Sequence, residues 1–217
     1  MNPIKIILTG STGMVGEGVL MECLENSDIS EILSVSRKPS GKQHAKLKEY
    51  IVSDFLQIDL NDENFKSYDA VFFCAGISSV GMNEEDYTKI TYDTTLHFAK
   101  AALNQNPNMV FNYVSGAHTD KTESGKIMWA RVKGRTENAL KKLGFRGEYN
   151  FRPGFMKPVE GQENVKWFFK PLIWFFPVFL PSKSLSLHDV GRAMIHAVQK
   201  GYPTSVLEIK DIKNLAI

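Results

Sequence analysis

Three glycines, Gly10, Gly13 and Gly16, recur at three-residue intervals directly after a short apolar run, Ile4, Ile6, Ile7 and Leu8. Beyond them the apolar positions change spacing, through Met14, Val15, Val19, Leu20 and Met21, to that of a helix. A buried strand that turns sharply into a helix at spaced glycines is the layout of a dinucleotide site. Gly10 suits the tight turn, and Gly13 lets backbone N–H groups approach a diphosphate with no Cβ between. Gly16 lets the helix pack closely on the sheet. Ser11, Thr12, Met14 and Val15 complete the turn, whose helix N-terminus would face phosphates with unpaired N–H donors. The spacing is G-x-x-G-x-x-G rather than G-x-G-x-x-G, and an ordinary βα turn is the alternative.

The rest of the chain decides between these readings. Strands are expected at Glu31–Ser36, Tyr50–Ser53, Asp69–Gly76, Met109–Ser115 and Gly147–Phe151. A helical period runs over Glu84–Asn104 through Ile90, Thr94, Phe98 and Ala101, and a second helix is MWARVKGRTENALKKL. Such alternation predicts right-handed βαβ units: an α/β fold of the Rossmann type, a doubly wound parallel sheet of order 3-2-1-4-5-6. The length of 217 residues, 43% of them hydrophobic, suits one domain, with a core over 1–154 and a small substrate-side lobe over 155–217.

Where an NAD site would place a carboxylate for the ribose, this chain has Ser36, Arg37 and Lys38. Cations attract a 2′-phosphate that a carboxylate would repel, so NADP(H) is favoured over NAD(H). Basic residues in a turn before Pro39 and Gly41 are the simpler alternative. Asp54 and Phe55 follow the third strand, placed to border an adenine. Cys74, Ala75 and Gly76 end the fourth, where small residues let a ribose or nicotinamide lie near the backbone.

A net charge of +2 with scattered basic residues implies no nucleic-acid surface. The cysteines, Cys23 and Cys74, fall in a helix and a strand and read as reduced thiols of a cytoplasmic protein, and no Cys/His cluster has metal spacing. The N-terminal apolar run is too short for a signal peptide.

On Gly10–Gly16, Ser115, Val132-Lys133-Gly134 and Phe151-Arg152-Pro153-Gly154, the sequence from Ile4 to about Val198 resembles the short-chain dehydrogenase/reductase superfamily. More narrowly it resembles the atypical branch grouped with NAD(P)-dependent epimerase/dehydratase-like and Tat-interacting-protein-like oxidoreductases. The resemblance implies a Ser–Tyr–Lys set. Serine would fall on Ser115 and lysine, holding the nicotinamide ribose, on Lys133. Pro153, Gly154 and Phe155 would border the nicotinamide. The tyrosine position holds Trp129, whose indole N–H donates a hydrogen bond but is no acid near neutral pH. Either another hydroxyl such as Tyr113 replaces it, or no protein acid is needed, or the chain binds cofactor with little chemistry. As a packing residue, Trp129 would simply fill the inner helix face.

Val165 to Pro181, VKWFFKPLIWFFPVFLP, concentrates aromatic residues between prolines. It is too short and too interrupted for a transmembrane helix. An apolar pocket wall, a self-association surface and a peripheral membrane contact are the three readings, the first implying a small-molecule, apolar substrate that is bulky and is not a nucleotide sugar. Ser186 is expected to cap a helix over Leu187–Gln199, and Val206–Ile209 to add a strand. The tail Asp211–Ile217 carries no signal.

Overall fold

A computed structural model describes residues 2–165 and 184–217. Val165–Pro181, apart from its first residue, therefore lies outside the described residues. In chain order the elements are β1 (Ile4–Thr9), α1 (Met14–Glu25), β2 (Ile29–Ser36), β3 (Leu47–Ile51), β4 (Ala70–Phe73), α2 (Glu84–Thr88), a π turn (Lys89–Asp93) and α3 (Thr94–Gln105). They continue with β5 (Val110–Val114), α4 (Met128–Lys141), β6 (Gly147–Phe151), β7 (Phe155–Lys157), β8 (Ser184–Ser186), α5 (Leu187–Lys200), β9 (Val206–Leu207) and α6 (Ile209–Leu215).

The main sheet is parallel, in the order β3-β2-β1-β4-β5-β6-β9, and β7 pairs with β8 apart from it. The fold is thus the expected Rossmann-type arrangement, extended by β9 at one edge. β1 explains its own composition. Ile6 and Leu8 point into the core under α1 and α5, Ile7 into the core under α3, and all three are wholly buried. A strand covered on both faces reads as a continuous apolar run. Under α3 the Phe98 ring lies 5.0 to 5.7 Å from Phe55, Phe65 and Phe73. Of residues 155–217, α5 packs on α1 and β9 joins the main sheet, so much of that stretch is built into the core.

Some boundaries differ from expectation for physical reasons. β3 begins at Leu47, three residues before the sequence signal, because it is an edge strand whose Lys48 and Glu49 face water. The 84–104 helix contains the π turn, where the Thr94 hydroxyl donates to the Lys89 carbonyl at 3.1 Å. One extra residue in that turn takes Ile90 off the buried face, and it is 42% exposed. The tail also forms α6, with a reciprocal capping box between Glu208 and Asp211. Ser186 caps α5 as expected, again reciprocally with Asp189.

β6 carries a buried anomaly. Both carboxylate oxygens of Glu148 are buried, and neither has a partner at full hydrogen-bond geometry among the described residues, the Asn150 side chain being only nearby. Burial pushes its pKa up to about 8, with Asn150 and Lys141 opposing only in part.

Candidate functional site

The site begins at the β1–α1 turn. Gly10 has φ of 78°, and a Cβ there would stand 2.7 Å from the backbone of Cys74 and Ala75 at the end of β4. A Cβ on Gly16 would stand 2.1 Å from the Gly10 carbonyl oxygen, so α1 can sit on its own turn only with glycine there. Gly13 differs: a Cβ there would meet only the Gly10 oxygen, at 3.5 Å, and would otherwise project into open space. Gly13 is the N-cap of α1 and no side chain caps that end, so the first-turn N–H groups point outward with the helix dipole behind them. Thr12 is exposed and Met14 and Val15 half-buried beside it. The Ser11 side chain turns away from the outer face of the turn. It is wholly buried, and its hydroxyl accepts from Ser34 Oγ at 2.8 Å, so it faces β2 rather than a ligand.

The turn adjoins a cleft of about 380 Å³. Arg37, Asp54, Phe55, Ala75 and Gly76, expected from the sequence, all line it. Ala75 and Gly76 join cleft to turn, and the Ala75 N–H donates to Thr9 Oγ1 at 3.1 Å. Asp54 keeps one oxygen on the Leu56 N–H at 2.9 Å. Phe55 is the floor rather than a flanking ring, being 7% exposed and tilted against Phe98. Ser36 is buried too, and its hydroxyl closes the following turn by donating to the Lys38 carbonyl at 2.5 Å. Lys38 is exposed and does not line the cleft.

Sequence reasoning missed Ile77, Lys89 and Ile90, which also line the cleft. Ile77 follows β4, and its 36% exposure puts an apolar side chain on the rim. Lys89 and Ile90 reach the cleft through the π turn, which leaves no period in the sequence to read.

Ser115, Trp129 and Lys133 do not line this cleft. Ser115 follows β5 and is 5% exposed, its N–H and Oγ both directed to the Phe151 carbonyl at 2.9 and 3.2 Å. Lys133 on α4 donates through Nζ to the Ser115 carbonyl, with the Val114 carbonyl 3.5 Å away. Burial draws the Lys133 pKa down to about 8, against the pull of Glu137 one turn along. Trp129, one turn before Lys133, is half-buried with its six-membered ring over Gly116. Tyr113 is not available as a replacement hydroxyl. It is 2% exposed in the Phe73–Phe111 aromatic core, and burial drives its phenol pKa far up.

Two contacts fix α4. A Cβ on Gly134 would stand 1.8 Å from the Asp120 carbonyl oxygen, so the loop after β5 lies directly on the helix. Arg152 grips buried Glu137, with Nε 3.0 Å and a terminal nitrogen 2.5 Å from its two oxygens, and reaches Glu208 at 3.3 Å. This bidentate pair ties the end of β6, and hence Pro153 and Gly154, to the helix bearing Lys133. The Pro153 carbonyl accepts the Ala117 N–H at 3.0 Å, and Phe155 starts β7. Cys74 stays a thiol, pushed up to about 12 by burial. No cluster of metal-binding side chains occurs among the described residues.

The model of the NAD dependent epimerase/dehydratase family matches residues 6–127, more than half of the chain. The chain belongs to the NAD dependent epimerase/dehydratase family. It is an NAD(P)-binding Rossmann protein of the short-chain dehydrogenase/reductase kind, as its motifs suggest. The match stops short of Trp129 and Lys133.

A curated relative, protein fmp52, mitochondrial, of Emericella nidulans, is 26% identical over 89% of this chain and 86% of its own length. Protein FMP52, mitochondrial, of Meyerozyma guilliermondii is 27% identical over 70% of this chain and 65% of its length. Among solved structures, the UDP-N-acetylglucosamine 4-epimerase of Methanobrevibacter ruminantium, in complex with UDP-N-acetylmuramic acid, is similar with a TM-score of 0.70 at 17% identity, over 96% of this chain and 76% of that one. The Bordetella bronchiseptica enzyme WbmH, in complex with NAD+, gives 0.70 at 18% identity, over 97% and 79%. These likenesses concern the fold.

The cytoplasmic expectation is overturned, because the curated relatives are named as mitochondrial proteins. Two cysteines and a short N-terminal apolar run do not discriminate one reducing compartment from another. Among the described residues no helix is long and apolar enough to cross a membrane.

Burial of Glu148 and Lys133 gives stability a defined pH course. The folded state holds a proton on Glu148 up to about pH 8, well above the ordinary carboxyl range. The stability this contributes is complete below the unfolded pKa of Glu148 and is lost as pH rises toward about 8. The folded state releases the Lys133 proton early, near 8, so its own contribution rises above that value, where the buried Cys23 and Cys74 thiols, both pushed up, act the opposite way. Urea unfolding is therefore expected to show stability falling from about pH 5 to 8. Glu148→Gln should remove the acidic limb, on the order of 2–4 kcal/mol. A wild-type curve flat across that range would contradict the Glu148 assignment.

Proposed function

We propose that the chain binds NADP(H) in preference to NAD(H) and acts as an oxidoreductase on an apolar carbonyl or hydroxyl compound. One observation carries the reading: the uncapped start of α1 at open Gly13 adjoins a cleft bordered by Arg37, with no carboxylate in its place. The residues present fit the group. The Gly10–Gly16 backbone would hold the diphosphate, Arg37 the 2′-phosphate, and Asp54 with Ile77 and Ile90 the adenine. Ala75 and Gly76 would lie along the ribose, with Lys133 and the Pro153–Phe155 backbone at the nicotinamide end.

When bound, the nicotinamide supplies or takes a hydride. Ser115 Oγ, released from the Phe151 carbonyl, orients the substrate oxygen. Lys133 Nζ, with a pKa of about 8, exchanges a proton near neutral pH beside Ser115. Trp129 donates a hydrogen bond and delivers no proton. The aromatic residues of 165–181 make the substrate apolar in this reading.

A second reading has a specific observation in its favour. With Trp129 at the acid's position and Tyr113 buried elsewhere, the chain binds cofactor but turns over little, and 165–181 docks a partner or a membrane surface. Trp129→Tyr separates the two. If Trp129 merely fills the acid's place, NADPH oxidation with apolar aldehydes and ketones should rise about 10²-fold or more. Unchanged turnover with NADPH still bound would favour the second reading.

A further inference from the structure

Lys42 lies outside the cleft and outside every motif described above. It lies midway along the 37–46 loop that carries Arg37. Within that loop the Lys42 N–H donates to Ser40 Oγ at 3.3 Å, and the Ser40 N–H donates to Glu49 Oε1 on β3 at 2.6 Å. The Lys42 ammonium then crosses to α1, 3.3 Å from Glu17 Oε1, and also meets Glu163 Oε1 at 3.0 Å. Glu17 follows Gly16 directly and is 1% exposed, and it accepts the Glu163 and Asn164 N–H groups at 3.0 and 2.7 Å. Burial alone would raise its pKa. The two N–H groups and Lys42 outweigh that and hold it below the usual carboxylate range, so the anchor stays charged at neutral pH.

Lys42 is thus already engaged by two carboxylates, while Arg37, five residues earlier on the same loop, is exposed at the cleft. A loop fixed before binding loses less conformational entropy when its guanidinium meets a phosphate. Resting on the proposed preference for NADP(H), we infer that Lys42 is a positioning residue for dinucleotide choice: by tying the Arg37 loop to Glu17 at the phosphate end of α1, it sets how strongly the cleft selects a 2′-phosphate. The only group near the 2′-position that differs between the two dinucleotides meets Arg37, so the effect of Lys42 falls on NADPH and spares NADH.

The test titrates the full chain with NADPH and with NADH, read by energy transfer from tryptophan to the nicotinamide. Lys42→Met should weaken NADPH about tenfold and NADH less than about twofold, and Lys42→Arg, which can still bridge both carboxylates, should restore the preference. In an Arg37→Asp background, Lys42→Met should change the ratio no further. If Lys42→Met weakens both nucleotides equally, or neither, the inference is overturned while the proposed function stands. If Lys42→Met does not fold, Glu163→Gln, at an exposed partner, should shift the ratio in the same direction by a smaller factor, and no shift overturns the inference. Wild-type protein that binds neither nucleotide, or binds both alike, overturns the NADP(H) reading beneath it before any variant is made.

Discussion

Gly16→Ala and Gly13→Ala should fail in different ways, although the two glycines are three residues apart in one motif. The Gly16 methyl would lie 2.1 Å from the Gly10 carbonyl oxygen and 2.4 Å from its carbon, both backbone atoms that cannot rotate aside. Either α1 backs away from the sheet or the turn opens. Both disturb the packing of Val19 and Leu20 beneath it and carry the first-turn N–H groups out of line. The expected cost is about 3 kcal/mol or more in urea unfolding, with nucleotide binding lost as a consequence. Gly13 has φ of −113° and ψ of 163°, which alanine adopts without strain, and its methyl would meet only one oxygen at ordinary contact distance. Gly13→Ala should therefore cost no more than about 1 kcal/mol, alanine being the poorer N-cap. Its methyl would occupy the outer side of the turn, where a diphosphate approaches, and weaken nucleotide binding by about tenfold or more. Equal effects of the two substitutions on stability would refute this division of labour.

The second large effect concerns Arg37. Arg37→Asp replaces an attractive guanidinium at the cleft with a carboxylate that repels a dianionic phosphate and suits a ribose diol. NADPH should bind about 100-fold more weakly, close to 2.7 kcal/mol, while NADH changes by less than about threefold. The difference should shrink as salt is raised, since Arg37 is exposed. Lys89 also lines the cleft, so Lys89→Asp serves as the control for charge alone. An equal loss there would assign the preference to the general field and not to the Arg37 position.

How much of this was legible in the sequence depends on whether a residue's task is local. Gly16 is dictated by Gly10 six residues away and Gly10 by its own positive φ, so their place between strand and helix exposed them, although the approach of the β4 end to Gly10 was not legible. Ala75, Gly76, Asp54 and Arg37 sit at strand ends, and in a parallel sheet strand ends converge on one edge, so strand assignment placed them together. Side-chain direction was not legible. Ser11 and Ser36 stand where a ligand contact is expected, yet each is buried and directs its hydroxyl to a protein partner, as buried polar groups must. Tyr113 alternates onto the core face of β5 with Phe111, and a phenol there cannot serve the cleft. Ile90 was lost to the π turn, which breaks the period by one residue. Glu208 and Asp211 stand three apart before Ile212 and Leu215, the spacing of the capping box that closes the start of α6.

The most direct test of the cofactor site is a titration of the purified wild-type chain with NADPH and, separately, NADH, following tryptophan quenching and energy transfer to the nicotinamide. Trp129 stands one helical turn from Lys133, so a dinucleotide laid from the glycine turn to Lys133 brings its nicotinamide within transfer range. Saturable transfer, tighter for NADPH and shifted to about tenfold higher nucleotide concentration or more in Gly13→Ala, is the expected result. No transfer and no quenching with either nucleotide would make the glycine turn a structural βα connection and the cleft a site for something else.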